Sequence, residues 1–118
     1  MITGAAGSIG SELVKQCIRF NPLQIICFDI AETPLHNLKL NLSNEFTIEQ
    51  FNSLHFILGD ITNLQDIEPV FDEYKPQIVF HAAAYKHVPI LEYFPKKAID
   101  INVAGTYQLA NLAIKYKV

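Results

Sequence analysis

The sequence contains no tryptophan, one methionine and two cysteines among 118 residues, and it has fewer basic than acidic side chains. Nine Lys and Arg against twelve Asp and Glu give a net charge of -3 at pH 7. Charge-driven binding to a phosphate backbone needs clustered Lys and Arg, and the one adjacent basic pair here is Lys96 and Lys97. This charge pattern argues against a nucleic-acid partner.

The two cysteines, Cys17 and Cys27, lie in apolar stretches without a CxxC spacing or a neighbouring histidine pattern. We therefore expect no metal site and no disulfide framework, but two core thiols in a reducing cytosol. No apolar run approaches the roughly 20 residues of a membrane span, and no signal peptide precedes the first glycine. The expected location is the cytoplasm, or the cytoplasmic domain of a membrane-anchored parent.

Helix-like and strand-like segments alternate along the chain. Apolar spacing predicts helices over Ser8–Phe20, from an N-cap at Thr33 to about Phe46, and from Pro95 to about Tyr116. Short apolar runs predict strands over Ile25–Phe28, Leu54–Leu58 and Ile78–Phe80. Between the last two strands, Pro69 interrupts a helical pattern over Leu64–Tyr74, which predicts a distorted first turn or a helix that begins at Pro69.

This alternation predicts an α/β fold, a Rossmann-type doubly wound parallel sheet with helices on both faces. Half of the residues are apolar, enough for one hydrophobic core. In such a sheet, ligands bind beyond the carboxyl ends of the strands. The residues just after each apolar run are therefore the informative ones.

The first such stretch is TGAAGSIG, from Thr3 to Gly10, between a strand and the first helix. Gly4 and Gly7 let the backbone turn tightly and approach a pyrophosphate, whose charge is met by amides at the helix N-terminus, while Gly10 permits close helix–strand packing. The alternative is that the glycines serve only a tight turn. Because so few residues precede the loop, we expect the first strand, the central one of the sheet, to be truncated.

Asp29 lies nineteen residues after Gly10, at the end of the second predicted strand. A carboxylate there can accept hydrogen bonds from an adenosine ribose, and it repels a 2'-phosphate. Ile30, Ala31 and Glu32 supply no cation to offset that repulsion, which predicts NAD as the cofactor, with NADP possible. The alternative is a solvated carboxylate that caps a loop.

Polar and small residues also follow the next two strands. Asp60 beside Ile61 can bracket an adenine through its exocyclic amine and its face, although Asp60 can equally cap the next helix. The alanines after His81 leave room for a cofactor against the strand end; they are Ala82, Ala83 and Ala84. His81 itself is predicted to pack through hydrogen bonds rather than to catalyse.

With the segments TGAAGSIGSELV, FDIAETPL, GDI, HAAAYKHVP and NVAGT in this order, the chain resembles the extended short-chain dehydrogenase/reductases over essentially its whole length. It is most similar to their polysaccharide-biosynthesis branch, which includes UDP-N-acetylglucosamine 4,6-dehydratases. The resemblance implies one set of contacts for each part of the cofactor. Gly4, Gly7, Ser8, Ile9 and Gly10 would hold the pyrophosphate, Asp29 the adenosine ribose, and Asp60 and Ile61 the adenine. Ala82, Ala83 and Ala84 would line the cofactor, and Lys86 would reach its ribose or phosphates.

Two of the candidate cofactor-binding residues have a second interpretation. Lys86 can place a point charge on a dinucleotide or on a nucleotide-sugar diphosphate, or it can be a solvated loop residue. Asn102 lies on the predicted sheet-facing stripe of the last helix, so it contacts the cofactor or serves a structural hydrogen bond. Many relatives have Asn-Asn-Val where this chain has Ile101, Asn102 and Val103.

No catalytic residue is assigned in this chain. The family's tyrosine with a lysine four residues later, and the branch's Thr-Asp-Lys run, do not occur before Val118. We therefore expect residues 1–118 to be the amino-terminal NAD(P)-binding portion of a longer homo-oligomeric enzyme, without its catalytic and UDP-sugar-binding parts.

The resemblance implies 4,6-dehydration of UDP-N-acetylglucosamine for a surface polysaccharide or glycan. Hydride leaves the sugar C4 for NAD(P)+, water is lost across C5 and C6, and the hydride returns to C6. A UDP-sugar 4-epimerase or dehydrogenase is one alternative. A non-catalytic dinucleotide-binding module and a truncated reading frame without function are others.

We expect these 118 residues alone to be marginally stable and to bind NAD poorly, because the segment before the glycine loop is shorter than the usual ~17 to 20 Å strand. Thermal unfolding and calorimetric titration with NAD measure both properties. A cooperative melt at ordinary temperatures together with micromolar affinity would contradict this expectation.

Overall fold

Four parallel strands form one sheet in a computed structural model that describes all residues, 1–118. The strands are β1 (Ile2–Thr3), β2 (Ile25–Asp29), β3 (Leu54–Leu58) and β4 (Phe80–His81), and their order is β3-β2-β1-β4. β1 lies inside the sheet, where Ile2 pairs with Cys27 of β2 and with Phe80 of β4. The doubly wound, Rossmann-type parallel arrangement predicted from the sequence is confirmed.

Seven α-helices and one π-helical segment connect and cover the strands. They are α1 (Ser8–Ile18), α2 (Glu32–Glu45), α3 (Ile48–Asn52), α4 (Leu64–Tyr74), α5 (Val88–Leu91), α6 (Pro95–Ala98), the π segment (Ile99–Gly105) and α7 (Thr106–Lys115). None of these helices combines the length and the apolar character needed to cross a lipid bilayer.

The sheet separates two hydrophobic clusters, and β2 contributes to both because its side chains alternate between the faces. Cys27 packs with Val14 and Leu42 in the cluster under α1 and α2. Phe28 packs with Phe71 in the cluster under α4 and α7. Burial raises the pKa of the Cys27 thiol to about 12, so this cysteine is a protonated core residue at neutral pH.

One helix begins at a different residue from the one predicted, and another settles a choice between two predicted starts. α2 begins at Glu32 with Ala31 at the N-cap, so the prediction of Thr33 as the cap is wrong. The chain turns earlier because the Ala31 amide donates to the Asp29 carboxylate, 2.9 Å away. α4 begins at Leu64, because the Asn63 side chain accepts a hydrogen bond from the Gln65 amide.

Pro69 therefore lies inside α4, and the alternative of a helix beginning at Pro69 is wrong. A proline inside a helix removes one backbone hydrogen bond. Burial of Ile67, Val70 and Phe71 on the core face of α4 offsets that loss.

The last part of the chain differs most from the expectation. The single helix predicted from Pro95 to about Tyr116 is divided into α6, the π segment and α7. Gly105 and Leu109 are buried as expected for the sheet-facing stripe, whereas Thr106 is exposed. The pairing of β4 covers Phe80 and His81, later than the predicted Ile78–Phe80.

Candidate functional site

A cavity of about 280 Å³ lies at the carboxyl edge of the sheet, where all four strands end. Its lining comes from the segments that follow these strand ends, together with α2 and the π segment. The lining residues are Gly4, Ala6, Gly7, Phe28, Asp29, Ile30, Ala31, Pro34, Gly59, Asp60, Ile61, Ala82, Ala83, Ala84, Tyr85 and Ile101. Eight of the thirteen predicted site residues are therefore brought together in one place.

The glycine loop has a backbone shape that side chains would prevent. Gly4 has a φ of +66°, and a Cβ added to it would lie 2.6 Å from the backbone of Ala82 and Ala83. A Cβ on Gly10 would lie 1.9 Å from the carbonyl oxygen of Gly4. Gly4 thus permits the close approach of β4's end, and Gly10 permits α1 to pack directly against the loop.

The first turn of α1 follows the glycine loop directly, and no side chain caps this end of the helix. Gly7 is its N-cap residue and supplies no capping side chain. The first amides of a helix have no intrahelical acceptor, so this terminus has the donors and the partial positive charge that favour an anion. Ser8, Ile9 and Gly10 belong to this turn and do not line the cavity itself.

Asp29 connects the cavity to the glycine loop. Its side chain accepts hydrogen bonds from the Ala6 amide at 2.8 Å and from the Ala31 amide at 2.9 Å, one on each carboxylate oxygen. The residue is only 8% exposed. Burying a carboxylate is costly unless hydrogen bonds stabilise it, and a carboxylate oxygen has a second lone pair for a further donor. The Asp29 carboxylate therefore lies in the cavity wall in a fixed position, with lone pairs that can accept a hydrogen bond from a ligand.

Asp60 and Ile61 form the neighbouring wall. One oxygen of Asp60 accepts hydrogen bonds from the amide and the hydroxyl of Thr62, both at 2.8 Å. The Asp60 amide donates to Asp66 at the start of α4. These local bonds orient Asp60, and Ile61 is buried beside it.

The segment after β4 closes the cavity on its other side. The backbone of Ala82 continues the pairing with β1, because its amide donates to the Thr3 carbonyl at 3.0 Å. Further along, the Lys86 ammonium lies 3.4 Å from the Ser8 hydroxyl. This lysine adds its positive charge to that of the α1 terminus, although it does not line the cavity.

Asn102 does not contact the cavity directly but bonds to the backbone of Tyr85. Its side-chain oxygen accepts from the Tyr85 amide and its NH₂ group donates to the Tyr85 carbonyl, both at 2.8 Å. The structure thus gives Asn102 the structural hydrogen bonds that were one of its two interpretations. It is absent from the cavity lining.

His81 joins three elements through two threonine hydroxyls. Thr106 Oγ1 donates its proton to the Asn102 carbonyl, so it accepts from His81 Nε2, 2.9 Å away. Nδ1 then accepts from Thr3 Oγ1 at 2.7 Å. Desolvation lowers the pKa of His81, which agrees with this neutral tautomer. His81 therefore serves packing, as predicted.

Several cavity residues were not among the predicted ones. Phe28, Ile30, Ala31 and Pro34 flank Asp29 in sequence, so the strand end that identified Asp29 was also the signal for them. Tyr85 and Ile101 have no such local signal, because their position depends on the contact between the β4 segment and the π segment. No group of three or more His, Cys, Asp or Glu side chains is arranged to hold a metal ion.

The chain matches curated polysaccharide-biosynthesis proteins and nucleotide-sugar enzymes over nearly its whole length. The chain is 39% identical over 115 residues to the capsular polysaccharide biosynthesis protein CapD of Staphylococcus aureus, covering 96% of this chain and 18% of that protein. It is 35% identical to the UDP-glucose 4-epimerase of Rickettsia prowazekii and 33% identical to the dTDP-glucose 4,6-dehydratase of Salmonella typhimurium. These matches cover 100% and 98% of this chain, and 33% and 31% of the two relatives. The chain thus spans no more than about a third of these relatives.

Solved structures share the fold over nearly the whole chain. Pen from Bacillus thuringiensis superposes with a TM-score of 0.88 at 27% identity, covering 99% of this chain and 35% of that one. The enzyme WbmG of Bordetella bronchiseptica, solved in complex with NAD and UDP, superposes with a TM-score of 0.79 at 27% identity, covering 99% and 34%.

The family model described as polysaccharide biosynthesis protein matches residues 1–118, the full length of the chain. The glycine loop, the strand-end carboxylates and the four-stranded sheet agree with that match. The chain therefore belongs to the polysaccharide biosynthesis protein family, a branch of the extended short-chain dehydrogenase/reductases.

Proposed function

We propose that residues 1–118 bind NAD in this cavity, as the amino-terminal cofactor-binding portion of an enzyme that modifies nucleotide sugars. The observation that carries the proposal is the buried carboxylate of Asp29, which shares one cavity with the glycine loop and with Asp60. A ribose hydroxyl, a pyrophosphate and an adenine need these three kinds of group. The NAD held by the related WbmG supports this choice of ligand.

The residues present fit each part of a dinucleotide. A Cβ on Gly4 or Gly10 would clash with the surrounding backbone, so these glycines let the loop pack closely against Ala82 and against α1. The first amides of α1 lack intrahelical acceptors and can meet a pyrophosphate. Lys86 places a cation beside that turn. Asp60 and Ile61 offer the adenine an acceptor and an apolar surface, and the alanines after His81 leave space for the rest.

When bound, NAD would supply a hydride acceptor that later returns the hydride. The residues of this chain bind and orient that group; Asp29 holds the adenosine end and excludes a 2'-phosphate by charge, because no basic residue lies among Ile30, Ala31 and Glu32. The many backbone donors favour a cofactor that stays bound through each cycle.

For the whole protein, the proposed reaction is 4,6-dehydration of UDP-N-acetylglucosamine in surface polysaccharide or glycan synthesis. The similarity to CapD supports polysaccharide synthesis, and the similarity to dTDP-glucose 4,6-dehydratase supports dehydration. The second candidate is 4-epimerisation of a UDP-sugar, which the similarity to the UDP-glucose 4-epimerase favours. Both reactions begin with oxidation at C4.

A homo-oligomer that works in the cytoplasm belongs to the same proposal. Along the π segment and α7, one stripe of apolar side chains is between 59% and 77% exposed; it consists of Ile99, Val103, Tyr107 and Ile114. A continuous exposed apolar face indicates a contact surface, and a second copy is the proposed partner. The free thiols of Cys17 and Cys27 suit a reducing compartment.

Replacing Asp29 should change cofactor choice. In full-length Asp29→Asn, we expect NAD affinity to fall about tenfold to a hundredfold, because hydrogen bonds to a charged group are lost, and NADP affinity to fall much less. Calorimetric titration with both cofactors measures this, and Glu32→Gln is the matched control, since it removes a nearby exposed charge outside the cavity. Unchanged affinity for both cofactors would contradict the role of Asp29.

The reaction is tested with the full-length protein, NAD and UDP-N-acetylglucosamine, followed by mass spectrometry. Dehydration predicts a product lighter by one water. A product of unchanged mass but different chromatographic mobility would favour the epimerase, and unreacted substrate would contradict both reactions on this sugar.

Oligomerisation is tested with Val103→Glu, which places a charge in the middle of the exposed stripe. We expect analytical ultracentrifugation to show a smaller species than the wild-type protein, because burying an unpaired charge is costly. Leu23→Glu is the control, since Leu23 is a fully exposed apolar residue elsewhere on the surface. An unchanged sedimentation profile of Val103→Glu would show that this stripe is not the contact surface.

A further inference from the structure

The side-chain amide of Asn102 is paired with the backbone of Tyr85, seventeen residues earlier in the chain. Its oxygen accepts from the Tyr85 N–H and its NH₂ donates to the Tyr85 carbonyl, at 2.8 Å each. Tyr85 belongs to the cavity wall, and Lys86 follows it directly. This double hydrogen bond therefore fixes the backbone segment that carries the side chains of Tyr85 and Lys86.

The helix that carries Asn102 also contacts the opposite wall of the cavity. Gly105 is buried against Ile61, and a Cβ on Gly105 would lie 2.7 Å from the end of the Ile61 side chain. Gln108 donates from its side chain to the Ile61 carbonyl at 2.9 Å. The continuous helix formed by the π segment and α7 is thus bonded to Ile61 through Gln108 and to Tyr85 through Asn102.

The π segment determines where Asn102 lies on this helix. It covers Ile99–Gly105 and places Ile101 in the cavity wall, next to Asn102. π-helical turns are rare and occur frequently at functional sites, since they change the angular position of the residues they contain. Here the segment contains both Asn102, which bonds to Tyr85, and Gly105, which is buried against Ile61.

We infer that Asn102 is a positioning residue for the pyrophosphate and nicotinamide half of the cofactor. It acts by fixing the backbone of Tyr85, which keeps the Lys86 ammonium beside the first turn of α1, 3.4 Å from Ser8. The adenosine half is held by Asp29, Asp60 and Ile61, whose hydrogen bonds go to Ala6, Ala31, Thr62 and Gln108 and not to Asn102. This inference rests on the proposed binding of NAD, and it predicts an effect confined to one half of the ligand.

The test uses full-length Asn102→Ala with Asn111→Ala as the control, since Asn111 is an exposed asparagine of α7 without a hydrogen bond to the cavity. Calorimetry compares NAD, ADP-ribose and AMP. In Asn102→Ala we expect NAD and ADP-ribose to bind about tenfold more weakly, as for the loss of two hydrogen bonds that orient their site, and AMP to change by less than about twofold. Asn111→Ala should match the wild-type protein for all three ligands.

A second variant, Asn102→Gln, keeps the amide on a longer side chain and should recover part of the lost affinity. Equal weakening of all three ligands in Asn102→Ala, or unchanged binding of NAD, would overturn the inference and leave NAD binding standing. Failure of the wild-type protein to bind NAD would instead contradict the proposed function, and with it the inference.

Discussion

The hydrogen bonds of Asp29 hold the candidate site together. One side-chain oxygen accepts from Ala6 in the glycine loop and the other from Ala31 at the start of α2, while its backbone carbonyl accepts from Gly59 at the end of β3. The glycine loop, the start of α2 and the end of β3 therefore meet at one residue. The carboxylate is buried but stabilised by backbone amides, so a donor from a ligand would meet an acceptor whose position is already set.

The features that could be predicted from the sequence are those with a local physical cause. The continuous apolar run before Asp29 identified β2, because a strand covered on both faces needs apolar side chains throughout. Gly4 and Gly10 stand where any Cβ would collide with backbone, so the residue type itself indicates the loop. Asp29 and Asp60 follow from the rule that strand ends form the ligand site of a parallel sheet.

The features that could not be predicted depend on contacts between distant segments. The amide of Asn102 is satisfied by the backbone of Tyr85, and no local pattern distinguishes that arrangement from contact with a ligand. The π segment was likewise not predicted, and its helix contacts both Ile61 and Tyr85, which lie far from it in sequence. Pro69 stayed inside α4 because core burial outweighed a local propensity.

The central claim is that the Asp29 carboxylate receives the adenosine ribose of NAD, and a crystal structure of the full-length protein with NAD tests it most directly. The predicted result is a ribose hydroxyl within about 3 Å of an Asp29 carboxylate oxygen, with the pyrophosphate against the first turn of α1. A dinucleotide bound elsewhere, or a ribose that makes no contact with Asp29, would contradict the claim.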